Sequence, residues 1–252
     1  MTASDKAEHF AALHVPGDPL ILYNAWDAGS AKVVAEAGAK AIATGSHPVA
    51  DAHGFPDGER LPLELALANA ERVVRAVDLP VTIDFEGAYA VAPDAAAANV
   101  ARLKGIGAVG CNFEDQVVGG EGLHPLDVQA ARIRAIRAAV GPDFFINART
   151  DLFLKAGLGN HDDALVDEGL ERARAFADAG ASGVFVPLLA DLALLERFCA
   201  GSPLPVNVIA FPGAPSAADA ASAGVARISH GPYPWRLAMK ALGKAARAAF
   251  SG

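Results

Sequence analysis

Asp178-Ala179-Gly180-Ala181-Ser182-Gly183 ends an alanine-rich amphipathic stretch on a glycine and passes directly into the β-type run Gly183–Pro187. A helix end, a glycine turn and an immediate strand form one half of a βα unit. Ala35-Glu36-Ala37-Gly38-Ala39-Lys40 repeats the device ahead of Ala41–Thr44. Working outward, the same alternation fills the chain. Strands are expected at Leu20–Asn24, Ala41–Thr44, Val81–Phe85, Ala108–Phe113, Phe144–Ala148, Gly183–Pro187, Val206–Ala210 and Ala226–Ser229. Helices are expected at Ala28–Glu36, Leu63–Val77, Asp94–Lys104, Asp127–Ala139, Asp162–Asp178, Asp191–Cys199, Ala217–Ala223 and Pro234–Phe250, several of them capped by an acid such as Asp94 or Asp127.

The strand candidates read as continuous apolar runs, the pattern of strands covered on both faces. Eight units with no leftover segment favour a closed (β/α)8 TIM-type barrel over an open doubly wound sheet, with residues 1–252 forming a single barrel domain. Two longer excursions leave strand ends, at 45–62 and 116–125; the second carries three glycines and reads as a lid. The last helix candidate bears Trp235, Leu237, Met239, Leu242 and Phe250, more apolar surface than an outer helix needs to hide.

With 52% apolar residues the chain has ample material for a large core. A net charge of −8 without a basic stripe disfavours nucleic acid. Two cysteines, Cys111 and Cys199, give neither a disulfide framework nor a zinc spacing. No signal peptide or membrane-length apolar run is visible, so a cytoplasmic setting is expected.

In a barrel the chemistry lies at the carboxyl ends of the strands. Three runs place charge there: Ile83-Asp84-Phe85-Glu86, Asn112-Phe113-Glu114-Asp115 and Asn147-Ala148-Arg149-Thr150-Asp151. Asp84 and Glu86 are two apart and share a side of a regular strand. Adjacent buried carboxylates repel, and a divalent cation is the natural way to hold them. Mg²⁺, or Mn²⁺, needs only one or two direct carboxylates, so Asp84 is expected as the direct ligand, with Glu86 and Glu114 holding waters of its hydration shell. Arg149 suits a substrate carboxylate held bidentately, or pairs with Asp151 or Glu114; the two roles can coexist. Ser46 offers a hydroxyl and neighbouring N–H groups to an anion, or is an ordinary turn serine. His47, His53, His124 and His230 lack metal-ligand spacing, and only His124 lies in the lid. No nucleophile elbow, phosphate loop or dinucleotide fingerprint occurs, and no strand end carries a Schiff-base lysine.

Tyr23-Asn24-Ala25-Trp26-Asp27, Asp84-Phe85-Glu86-Gly87-Ala88-Tyr89, Asn112-Phe113-Glu114-Asp115-Gln116 and Ala148-Arg149-Thr150-Asp151, in that order, are similar to the successive signatures of the isocitrate lyase/phosphoenolpyruvate mutase superfamily. The resemblance covers nearly the whole chain. It implies a (β/α)8 barrel whose final helix is exchanged with a neighbouring subunit in a homodimer or homotetramer, Mg²⁺, and an enolate-type intermediate of a small 2-oxo carboxylate. By motif position Asp84, Glu86, Glu114 and Asp57 match the metal-site acids. Ser46 and Arg149 look like the residues that hold the substrate's carboxylate and oxyanion, with Asn24 beside them.

The lid departs from the pattern. Gly119-Gly120-Glu121-Gly122-Leu123-His124 stands where the lyases carry Lys-Lys-Cys-Gly-His, and Ala88 and Ala90 stand where glycines usually follow the acidic run. With no lid thiol, Glu121 or His124 is the expected proton donor. The expected activity is therefore a Mg²⁺-dependent lyase or mutase step on a 2-oxo or 2-hydroxy carboxylate, breaking or rearranging a C–C or C–P bond. The alternatives are an oxaloacetate-type C–C hydrolase and a catalytically silent carboxylate-binding barrel.

Overall fold

The computed structural model describes residues 2–251. Eight parallel strands make a nearly closed barrel: β1 (Leu20–Leu22), β2 (Ile42–Ala43), β3 (Val81–Asp84), β4 (Gly110–Glu114), β5 (Phe145–Arg149), β6 (Gly183–Phe185), β7 (Val206–Ile209) and β8 (Arg227–Ser229). Their hydrogen-bonded order is β1-β8-β7-β6-β5-β4-β3-β2. The seam between β1 and β2 is closed by the parallel bridge Ala25–Thr44 and a 2.8 Å bond from Ala25 N to Ala43 O.

The helices are α1 (Ala3–Ala12), α2 (Ala28–Glu36), α3 (Ser46–Ala52), α4 (Leu63–Ala76), α5 (Pro93–Gly105), α6 (Leu126–Val140), α7 (Leu152–Ala156), α8 (Asp163–Asp178), α9 (Leu192–Gly201), α10 (Ala217–Ser222) and α11 (Tyr233–Phe250). α1, α3 and α7 are short elements that periodicity does not reveal. The acid caps expected at Asp94 and Asp127 are corrected. Each helix starts earlier, with Ala92 and Pro125 as the caps, so both acids sit within the first turn. There they complement the helix dipole instead of closing the end. Asp27, Asp162 and Asp191 do cap their helices, each accepting an N–H three residues on.

Apolar burial lies mainly between the barrel and its ring of helices, where Ile83, Cys111, Phe113, Ile146, Phe176 and Phe198 pack. A second cluster seals the amino-terminal end, with Phe10 of α1 against Leu20, Leu22, Val109 and Phe145. The bore between them is polar, which corrects the reading of these strands as continuously apolar. Thr82, Asn112, Asn147, Asn207 and Arg227 are all buried there.

α11 stands away from the barrel: of its residues only Pro234 is buried, and Leu237, Leu242 and Phe250 are 61%, 61% and 88% exposed. On the same chain the outer face of β1 is uncovered, leaving Ile21, Tyr23 and Val33 along a groove beside α2. No helix among the described residues is long and apolar enough to cross a membrane.

Candidate active site

The carboxyl ends of the strands open on a cavity of about 290 Å³. Asp84 is the last residue of β3 and Arg149 the last of β5, so strand pairing fixes both at the rim. Each Asp84 oxygen receives a donor: Oδ2 accepts from Ser46 N at 3.0 Å and Oδ1 from Asn112 Nδ2 at 3.1 Å. The Asn112 amide is itself oriented from below. Its Oδ1 accepts from Asn147 Nδ2 at 2.8 Å and from Arg227 Nη2 at 3.0 Å, so its NH2 end is left to face Asp84. Arg227 is 1% exposed and has no carboxylate in contact; burial lowers it to about 9, against the opposing pull of Asp84.

Asp57, Asp84, Ser46, His47, Asn112 and Arg149 share the cavity wall. Burial, then the charge of Asp84, raises the Asp57 carboxyl, while His47 at 3.8 Å pulls the other way. Glu86 and Glu114 do not reach this wall. Glu86 lies behind Asp84 in a small adjoining cavity. Its backbone has left the strand with φ +50, which corrects the expectation that Asp84 and Glu86 project together from one regular strand. Burial pushes Glu86 up to about 9, helped by Asp57, Glu114 and Asp84. Burial raises Glu114 as well, against the Arg149 charge beside it. Arg149 spans Glu114 Oε2 at 3.0 Å and Asp151 Oδ1 at 2.6 Å, so the structural pairing is present at the cavity edge.

The loop after β3 is strained. Glu86, Ala88 and Tyr89 hold φ values of +50°, +62° and +56°, each costing on the order of 1–3 kcal/mol for a residue with a side chain. Alanine at 88 thus takes the left-handed conformation in spite of its side chain. Neighbours hold it there: Asn99 Nδ2 donates to Ala88 O at 2.9 Å, and Arg132 donates to Gly87 O at 2.6 Å and Ala90 O at 2.8 Å. Glu59 clasps the loop from the first excursion, its N donating to Glu86 Oε2 and its Oε1 accepting from Tyr89 N, both at 2.7 Å. A side chain at Gly87 would sit 3.0 Å from that Glu59 oxygen and 3.3 Å from Val118, so glycine eases the approach.

Four other expected site residues differ from their anticipated form. Asn24 lines the cavity, but its side chain is engaged by backbone: Nδ2 donates to Thr44 O at 2.7 Å, and Oδ1 accepts from His230 N and Gly231 N at 2.8 and 2.9 Å. It fastens the ends of β1, β2 and β8. Ser46 N serves Asp84 and is not free for an anion; the hydroxyl stands beside Asp57. Glu121 and His124 are not among the cavity residues. The lid folds on itself through a Gln116–Leu123 bridge, with Glu121 exposed and His124 buried where its N donates to Asp115 O at 2.7 Å.

Sequence reasoning missed Glu59, Asn112, Arg227 and Arg236. Arg227, a charge inside a strand run, carried a signal; Asn112 shares strand parity with Glu114. Glu59 and Arg236 carried none. The cavity's other half is apolar: Leu154, Phe185, Pro187, Ile209, Phe211 and Tyr233.

Among the described residues no group of three or more His, Cys, Asp or Glu side chains is placed to hold a metal ion alone. A hydrated Mg²⁺ needs less, one or two carboxylates with water completing its shell. Asp57 and Asp84 share the cavity wall and Glu86 adjoins it, a crowding of acids that fits such a cation.

A family model described as phosphoenolpyruvate phosphomutase matches residues 10–250. A crystal structure of a protein from Burkholderia cenocepacia J2315, provisionally called a phosphonomutase, is 50% identical, with a TM-score of 0.95 over 98% of this chain and 99% of that one. An uncharacterized protein of Mycobacterium tuberculosis H37Rv is 38% identical over 96% of this chain and 89% of its own length. A protein of Corynebacterium glutamicum, provisionally called 2-methylisocitrate lyase 2, is 31% identical over 70% of this chain and 57% of its own.

Proposed function

The chain belongs to the phosphoenolpyruvate phosphomutase family, within the isocitrate lyase/phosphoenolpyruvate mutase superfamily, and on that premise we propose that it is a Mg²⁺-dependent enzyme acting on a small 2-oxo or 2-hydroxy carboxylate. It cleaves or rearranges the C–C or C–P bond beside the carbonyl, passing through an enolate-like species. The observation that carries this reading is Asp84, held by donors on both oxygens at the wall of a cavity that also contains Asp57 and Arg149.

Asp84 would hold the ion directly, with Asp57, Glu86 and Glu114 acting through its water shell. Bound there, Mg²⁺ would supply positive charge to the substrate's carbonyl oxygen and carboxylate. Arg149 adds a fixed cation at the same edge, its orientation set by Glu114 and Asp151. Preorganisation of this kind lowers the cost of charge developing on the substrate, because no dipole has to turn during the reaction. Closure of the lid at 116–125 excludes water and carries Glu121 to the leaving fragment as proton donor. His124, tethered to Asp115 at the lid's base, is the less suited of the two.

The protein works as a cytoplasmic homo-oligomer in which α11 covers the open face of β1 on a second copy. The exposed apolar side of α11 and the uncovered groove beside α2 on the same chain support that exchange.

The test is calorimetric titration with Mg²⁺ and oxalate, together with a turnover screen of 2-oxo and 2-hydroxy acids. Wild type should bind oxalate only with Mg²⁺ and turn over at least one acid, and D84A should lose both. Undiminished activity in D84A sinks the metal assignment. Oxalate binding without turnover of any acid supports the silent barrel.

A further inference from the structure

We propose that Arg236, on the first turns of α11, receives the distal anionic group of the substrate and so determines specificity; the assignment rests on the metal-site reading above. Two guanidinium groups line the cavity and only one has carboxylate partners. Arg149 is paired with Glu114 and Asp151. Arg236 has no ion pair among the described residues. Its guanidinium carbon lies 5.4 Å from the centre of the Tyr233 ring, a face that retains a cation without cancelling its charge. His47, the remaining basic group of the wall, faces Asp57.

In a chain of net charge −8, an exposed arginine without a carboxylate partner at the rim of a cavity draws anions towards it. Phe185, Ile209 and Phe211, also on that wall, offer no polar side-chain partner to a ligand. A ligand matched to this lining carries a 2-oxo or 2-hydroxy carboxylate at the acid end, a short carbon chain, and a second anionic group for Arg236. Arginine's planar fork suits a terminal carboxylate or phosphonate.

The experiment titrates full-length protein, saturated with Mg²⁺, with malate, 2-hydroxybutyrate and oxalate. Malate and 2-hydroxybutyrate differ only in a far carboxylate against a methyl, and oxalate has no far end. Wild type should prefer malate by about 10-fold or more, the scale of one charge-assisted contact. R236M should erase that preference and leave oxalate binding unchanged, and R236K should restore part of it. Oxalate binding with the malate preference intact in R236M, or no preference in wild type, overturns the assignment alone. Failure of wild type to bind oxalate with Mg²⁺ overturns the metal-site reading and this assignment with it.

Discussion

The two halves of the cavity are built on opposite principles. Along the ends of β2 to β5 the polar side chains are held from outside: Asp84 by Ser46 and Asn112, Asn112 by Asn147 and Arg227, Arg149 by Glu114 and Asp151. Along the ends of β6 and β7 the wall is made of Phe185, Pro187, Ile209 and Phe211, whose side chains have no hydrogen bonds to give. The first half fixes direction, which chemistry needs. The second supplies shape, which tolerates change. One barrel can therefore keep its charge-handling apparatus while its substrate range drifts on the opposite side.

The contrast can be broken most forcefully at Arg149. R149M removes the counter-charge of two buried acids, so a loss of turnover of about 10³-fold is expected. The same change should lower folding stability by roughly 3–5 kcal/mol, because buried carboxylates are left unpaired. Kinetics with denaturant melts would check both; unchanged stability would mean that the pairing is incidental. On the shape-giving side the effect should be milder and of another kind. F211A should raise KM by about 10-fold with kcat nearly unchanged, as expected when only uniform apolar binding is lost. A large fall in kcat would place Phe211 with the chemistry and erase the distinction between the halves.

The last expected effect leaves turnover aside and is a slope of stability with pH. The Glu86 carboxyl is raised from 4.5 to about 9 in the folded state. The folded protein therefore binds more protons than the unfolded chain across that window. This contribution to stability is present in full below pH 4.5 and is lost as pH rises through 9. The melting temperature of the metal-free protein should carry a downward component between about pH 5 and 9. E86Q should remove it, and saturating Mg²⁺ should reduce it. An identical slope in E86Q would show that the strain and burial around Glu86 are not coupled to its charge.

Much of the scaffold was legible because its signals are local. Apolar runs and glycine turns, as at Gly180, mark where each strand begins, and Asp84, Glu114 and Arg149 stand where those runs stop. What escaped depends on contacts far apart in the chain. Asn112 and Arg227 are 115 residues apart and meet only once the barrel closes. The left-handed turns at Glu86 and Ala88 follow from the grip of Glu59 and Arg132, which no propensity scale records. Asp94 and Asp127 misled because an acid near a helix start resembles a cap, whereas the helices begin before them. That Glu121 stands outside the cavity was equally hidden, because an excursion's direction is set by its own folding, here the Gln116–Leu123 bridge.

The seam between β1 and β2 joins fold to chemistry directly. Thr44, whose bridge to Ala25 closes the cylinder, also accepts the Asp84 N–H on its hydroxyl at 3.0 Å, and two residues later Ser46 N reaches the Asp84 carboxylate. A rupture there would release the aspartate's backbone and side chain together. The clasp that keeps the staves in a ring is thus also the gunsight for the acid, and a breathing motion at that joint would blur the aim while the remaining strands stayed paired.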